Sequence, residues 1–144
     1  DSDGVATGEK TIIKKGVIDT YLLNAYAARR LKLSPTGNGG GTRNLILRAP
    51  KMPLPAILEK IDSGLLVTDL MGFGVNTVTG DYSRGASGFQ IQHGEITSPV
   101  EEITVAGNLK DMLKGIIAVG DDIDYSLNIQ TGSLLVDSMA VAGS

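Results

Sequence analysis

The run Tyr82-Ser83-Arg84-Gly85-Ala86-Ser87-Gly88-Phe89-Gln90-Ile91-Gln92, followed by His93-Gly94-Glu95 and by the return from Ile96 to Val105, decides the fold. Tyr82 to Gln92 reads as one strand, Gly94 beside His93 allows a tight turn, and Ile96, Val100, Ile103 and Val105 carry a second strand back. Pro99 cannot donate to a ladder, so it marks a bulge or an edge in that second strand. A hairpin needs further strands to bury a face. Leu65 to Leu70 offers one, and Ser133 to Val141 a final one, in which Leu134, Leu135, Val136, Met139 and Val141 break strict alternation so that both faces are partly covered.

Working outward, Thr11-Ile12-Ile13 and Val17-Ile18 flank Lys14-Lys15-Gly16 and predict an opening hairpin. Between Tyr21 and Leu31 the period changes: Leu22, Ala25, Tyr26 and Arg29 follow helical spacing and predict a short helix ending near Arg29-Arg30. Ser34 to Gly41 is a glycine-rich loop leading into a strand at Asn44 to Leu47. Ile57, Leu58 and Ile61 form the apolar face of a second helix, with Pro55 at its first position and Gly64 as its stop. Asn108 caps a third, with Leu109, Met112, Leu113 and Ile116 on one face and Gly120 past its end. The expected class is α+β, a mainly antiparallel sheet of barrel- or sandwich-like form with two or three short helices.

Composition bounds the chemistry. With no Cys and one His in 144 residues, disulfides, thiolate metal sites, a thiol nucleophile and a two-histidine zinc helix are all excluded. The 19 Gly, about twice the usual share, suit strands joined by tight turns. A net charge of −3 without a Lys/Arg run argues against direct nucleic-acid binding. No apolar run approaches the ~20 residues of a membrane span and no signal peptide opens the chain, which predicts a cytoplasmic protein. The absence of an initiator Met and the early strand predict one domain over residues 1–144, cut from a longer chain.

Candidate chemistry is sparse. His93, the single imidazole, sits at a predicted turn with no orienting partner apparent. Asp1-Ser2-Asp3-Gly4 opens like a calcium loop, but Ala6 and Ile12 stand where Gly and a bidentate Glu are required. Asp121, Asp122 and Asp124 form an acidic cluster that suits a hard cation or, equally, a solvated turn between helix and strand, and no catalytic or metal-binding residue is assigned. Gly37 to Gly41 lacks the Gly-Lys-Ser/Thr ending of a phosphate loop. Ser87, in Gly85-Ala86-Ser87-Gly88-Phe89, has its second glycine too early for a nucleophile elbow. Arg84 falls on the face opposite Phe89 and Ile91, a solvated strand charge or a contact for a carboxylate.

A longer pattern goes further. Asn76 to Phe89, then Gly94-Glu95-Ile96, then Pro99 to Leu109, resembles the C-terminal region of PmbA-type (TldE-type) members of the TldD/PmbA metalloprotease family. Tyr26 to Leu31, Ser34 to Asn38, Gln130-Thr131-Gly132-Ser133 and Met139 to Ser144 extend the resemblance over nearly the whole chain. The resemblance implies a bacterial protein, historically described as a modulator of DNA gyrase, of a family that acts on modified or unfolded peptides. It also implies that a TldD-type member carries zinc on an N-terminal helix and a C-terminal cysteine, whereas the PmbA-type member lacks that set. Gln130 to Ser133, where the cysteine segment would fall, supplies no strong zinc ligand. The resulting expectation is a non-catalytic subunit with no cofactor of its own and a zinc-bearing TldD-like partner. Autonomous peptidase activity from an N-terminal part, or a structural homodimerisation domain, are the alternatives. Sequence-tolerant peptide recognition favours a strand edge or accessible glycine backbone, so Asn38, Gly39 and Gly40, with Arg84 as a carboxylate contact, are the candidate peptide contacts.

Overall fold

The computed structural model describes residues 1–143, which divide into two units, Asp1–Leu45 and the remainder from Ile46. In the first, β1 (Ile13–Lys14) and β2 (Val17–Ile18) pair antiparallel, with Lys15 and Gly16 alone forming the bend. Helix α1 (Ala25–Leu31) starts where Asn24 Oδ1 accepts the Ala27 N–H at 2.8 Å, and it closes on Lys32 in the left-handed region. Leu22 and Leu23 therefore stay outside the helix. Leu23 is buried; its N–H donates to the Thr36 hydroxyl and its C=O accepts the Thr36 N–H at 3.1 Å. The strand expected at 44–47 is the short β3 (Leu45–Ile46).

The second unit holds the sheet. Helix α2 (Leu54–Leu58) follows Pro53 and carries Pro55 in its first turn, but Gly64 is not its stop. The Lys60 and Ile61 N–H groups bond three residues back, to Ile57 and Leu58, a tightening that ends the helix early. Gly64 instead belongs to β4 (Ser63–Met71), which pairs antiparallel with β5 (Asp81–Gln92). His93 and Gly94 turn the chain with φ of 52° and 82°, and β6 (Glu95–Asn108) returns, with Ala86 opposite Ile103 and Ile91 opposite Ile96. The register shifts beside Pro99, the bulge position anticipated there, and again near Glu102, whose φ is 55°.

Asn108 caps α3 (Leu109–Lys114) as expected, its Oδ1 accepting the Lys110 N–H, but Gly115 closes the helix after six residues. Ile116 and Gly120, assigned above to that helix and its end, therefore begin and follow β7 (Ile116–Val119). After β8 (Ile129–Gln130), the single strand expected over 133–141 is two: β9 (Leu134–Val136) pairs with β7, and β10 (Ala140–Ala142) pairs with β6. The break between them explains the broken alternation, because each piece serves a different sheet. The main sheet is open, in the order β10-β6-β5-β4. Ala86, Ile103 and Val105 form its buried cluster, with Leu65, Tyr82, Val100 and Met139 packed against them. The class is α+β, mainly antiparallel with three short helices among the described residues. Among the described residues no helix is long and apolar enough to cross a membrane.

Candidate functional site

The Gln130–Ser133 segment is positioned by β7. The Gly120 N–H, just past that strand, donates to the Ser133 carbonyl at 2.7 Å. One Asp122 oxygen accepts the Ser133 N–H at 2.8 Å and the other accepts its hydroxyl at 2.6 Å. The hydroxyl bond is the largest influence holding the Asp122 carboxyl below its ordinary range, with the N–H bond adding to it. A side chain at Gly132 would run into the Gly120 carbonyl, so this crossing requires glycine. Gln130 to Ser133 is thus clamped onto 120–122. Asp124 is a separate local turn, its carboxylate accepting from Ser126 N–H and hydroxyl and lowered in pKa for that reason. The acidic cluster read as a solvated turn is therefore two hydrogen-bonded devices.

In the first unit the glycine loop is occupied by the segment Asp1–Val5. The Gly39 N–H donates to Asp1 Oδ2 at 2.8 Å, and the Gly39 carbonyl accepts the Ser2 N–H at 3.1 Å. Asp1 Oδ1 also accepts the N–H groups of Asp3 and Val5, and Asp3 Oδ2 accepts the Ala25 N–H at the start of α1. Asn38 Oδ1 accepts from Lys10 Nζ at 3.1 Å and from the Thr36 hydroxyl at 3.0 Å, while Lys10 also donates to the Thr36 carbonyl. Gly39 is buried and Gly40 exposed. Only Gly40 of these two has positive φ.

Arg84, in the other unit, donates from Nη2 to the Leu70 carbonyl at 2.8 Å and from Nε to the Met71 carbonyl at 3.4 Å. Its guanidinium thus fastens the end of β4, a role the face-by-face reading missed. Ser87 is a strand residue opposite Asp69, with no strand-to-helix turn after it. His93 does have an orienting partner: Nδ1 lies 2.7 Å from Asp62 Oδ1, and its backbone N–H donates to the Asp62 carbonyl. The Ser63–Gln92 pairing in the β4–β5 register places Asp62 across from His93, a proximity that no local signal in the sequence discloses. Both side chains are about as open to solvent as side chains become, at 86% and 87% exposure, so the pair can hold the ring's orientation but has no dry site in which to act.

The zinc implied by the resemblance has no seat among these groups. His93 is engaged by Asp62, Asp122 and Asp124 each by a serine, and no group of three or more His, Cys, Asp or Glu side chains comes together among the described residues. A tetrahedral site needs three or four such donors converging. These residues do not fit the metal.

Residues 1–143 match the family described as PmbA/TldA metallopeptidase C-terminal domain. The chain is 51% identical over 146 residues to the metalloprotease PmbA homolog of Haemophilus influenzae, covering all of this chain and 32% of that protein. A metalloprotease TldD homolog of Buchnera aphidicola is more distant, 25% identical over 85% of this chain and 28% of its own. Among solved structures, a proposed modulator of a DNA gyrase from Thermotoga maritima superposes with a TM-score of 0.89 at 38% identity, covering 99% of this chain and 35% of that one. The chain spans about a third of the length of the relatives it matches. By family match and identity, the chain belongs to the PmbA/TldD metallopeptidase family, within its C-terminal domain.

Proposed function

We propose that the chain is the C-terminal module of a PmbA-type subunit that serves as the non-catalytic partner in a two-protein peptidase acting on modified or unfolded peptides in the cytoplasm, the zinc being carried by a TldD-type subunit. The observation that carries this reading is the Gln130–Ser133 clamp. Where the resemblance would have a TldD-type member present a cysteine, this chain closes the segment on itself through Asp122 and Ser133. The greater identity to a PmbA homolog than to a TldD homolog supports the same side of the family. Within this reading, the candidate contacts Asn38, Gly39, Gly40 and Arg84 narrow to the backbone around Gly40, since Gly39 is bonded to Asp1 and Ser2.

Peptide turnover by the full-length protein, with and without a TldD-type partner, tests the proposal. The expected outcome is turnover only in the pair, and elemental analysis of the dialysed PmbA-type protein finding no retained zinc equivalent. Turnover by the protein alone would assign catalysis to its own residues, and self-association without turnover in either setting would leave a structural dimer.

A further inference from the structure

Asn38 is followed by Gly39, the dipeptide in which asparagine most readily loses its side-chain amide, because a following glycine has no Cβ to hinder ring closure. The chemistry starts at the Gly39 nitrogen. That nitrogen gives its proton to solvent hydroxide and bonds to Asn38 Cγ; the Cγ–Nδ2 bond breaks and ammonia leaves. Water then opens the five-membered ring at one of its two carbonyls, giving aspartate or an isoaspartyl linkage. We propose that Asn38 is a latent deamidation site held closed by the Asp1–Gly4 segment, with the Asp1 carboxylate as the bolt.

Three groups of contacts oppose the reaction. The attacking nitrogen's hydrogen is donated to Asp1 Oδ2 at 2.8 Å. Deprotonation would forfeit a charge-assisted hydrogen bond and set an amide anion against a carboxylate. The backbone on either side is fixed, the Ser2 N–H bonding the Gly39 carbonyl and the Gly41 N–H bonding the Asn38 carbonyl. The electrophile is fixed too, since Lys10 and Thr36 both hold Asn38 Oδ1 and keep the side chain from rotating toward the nitrogen. Lys10 would also steady an oxyanion on that oxygen. That help comes only after the nitrogen has lost its proton, so the Asp1 contact controls the rate.

Gly39 lies close under the Asp1–Gly4 segment. A Cβ at Gly39 would lie 2.8 Å from Ser2 Oγ and 2.9 Å from Asp3 Oδ2, so any side chain there would have to displace both of those side chains. Release of Asp1–Gly4 from the loop would expose the dipeptide, and conversion would write a permanent negative charge beside Lys10.

Peptide mapping by mass spectrometry on the full-length protein, incubated at neutral pH, follows the amide-to-acid conversion at Asn38, with Asn44 and Asn128, neither followed by glycine, as internal references. Asp1→Asn keeps an acceptor for the local turn and removes the charge. It should speed conversion about ten- to hundredfold, the kinetic equivalent of one lost charge-assisted hydrogen bond. Conversion in the folded variant that is no faster, or that slows because the carboxylate had been acting as a base, overturns the proposal. Amide exchange at Gly39 in the unmutated protein decides the matter even if the variant does not fold: strong protection is expected, and exchange at the rate of a free peptide refutes the bolt.

Discussion

The Asp122–Ser133 clamp supports a quantitative test in which pH and mutation must agree. Two bonds to a carboxylate, one from an N–H at 2.8 Å and one from a hydroxyl at 2.6 Å, would each contribute about 1.5–3 kcal/mol if desolvated. Asp122 is exposed, so solvent screening brings the pair down to about 1–2 kcal/mol together. Asp122→Ala removes both bonds and should cost that whole amount. Ser133→Ala removes only the hydroxyl bond and should cost about half of it. The double variant should cost little more than Asp122→Ala, because the two residues share one interaction. In urea denaturation the Asp122→Ala midpoint should fall by roughly half a molar to one molar at neutral pH. The pH sign follows from linkage. The folded carboxyl titrates below its ordinary value of 3.8, so the unfolded chain binds the proton first on acidification. Its contribution is complete above 3.8 and is lost as pH falls through the lower folded value. The gap between wild type and Asp122→Ala should stay constant from neutral pH down to about 5 and shrink below about 4. A gap that persists unchanged into strong acid, or additive costs in the double variant, would refute the clamp.

The remaining expectations concern the assembled system. His93→Gln should leave peptide turnover within a few-fold of normal, although Asp62 orients the ring, since both side chains stand in water; a loss of about 10²–10⁴-fold would reveal a general base. Gly40→Val, at φ of 92° and with only the Ser2 side chain near its Cβ, should lower turnover while the thermal melt stays cooperative, with unchanged turnover reducing the loop to a connector. Gly39→Val should instead lower the melting temperature, because its side chain must displace those of Ser2 and Asp3; an unshifted melt would show that these side chains give way without cost.

What the sequence disclosed and what it hid divide along one physical line, the range over which partners are chosen. Features set by residues a few positions apart were legible: the His93–Gly94 turn, the short helix ending near Arg29-Arg30, the Asn108 cap and the disturbance at Pro99 each depend on local dihedral and hydrogen-bonding preferences. Features set by which strand lies beside which were not. Leu134 to Val136 and Ala140 to Ala142 are both apolar, and nothing local says that the first pairs with β7 and the second with β6. Ile116 fits a helical face until Gly115 is seen to close α3, because an apolar residue after a short helix suits either period. The polar sites fail for the same reason more sharply. Asp1 and Gly39 are 38 residues apart, Asp62 and His93 31, and Asp122 and Ser133 11. In each pair the carboxylate looks solvated until the fold supplies its donor. The family pattern reached further than these rules because it compares arrangements that have already solved the pairing problem, yet it carries no information about how Asp1 or Asp122 is used.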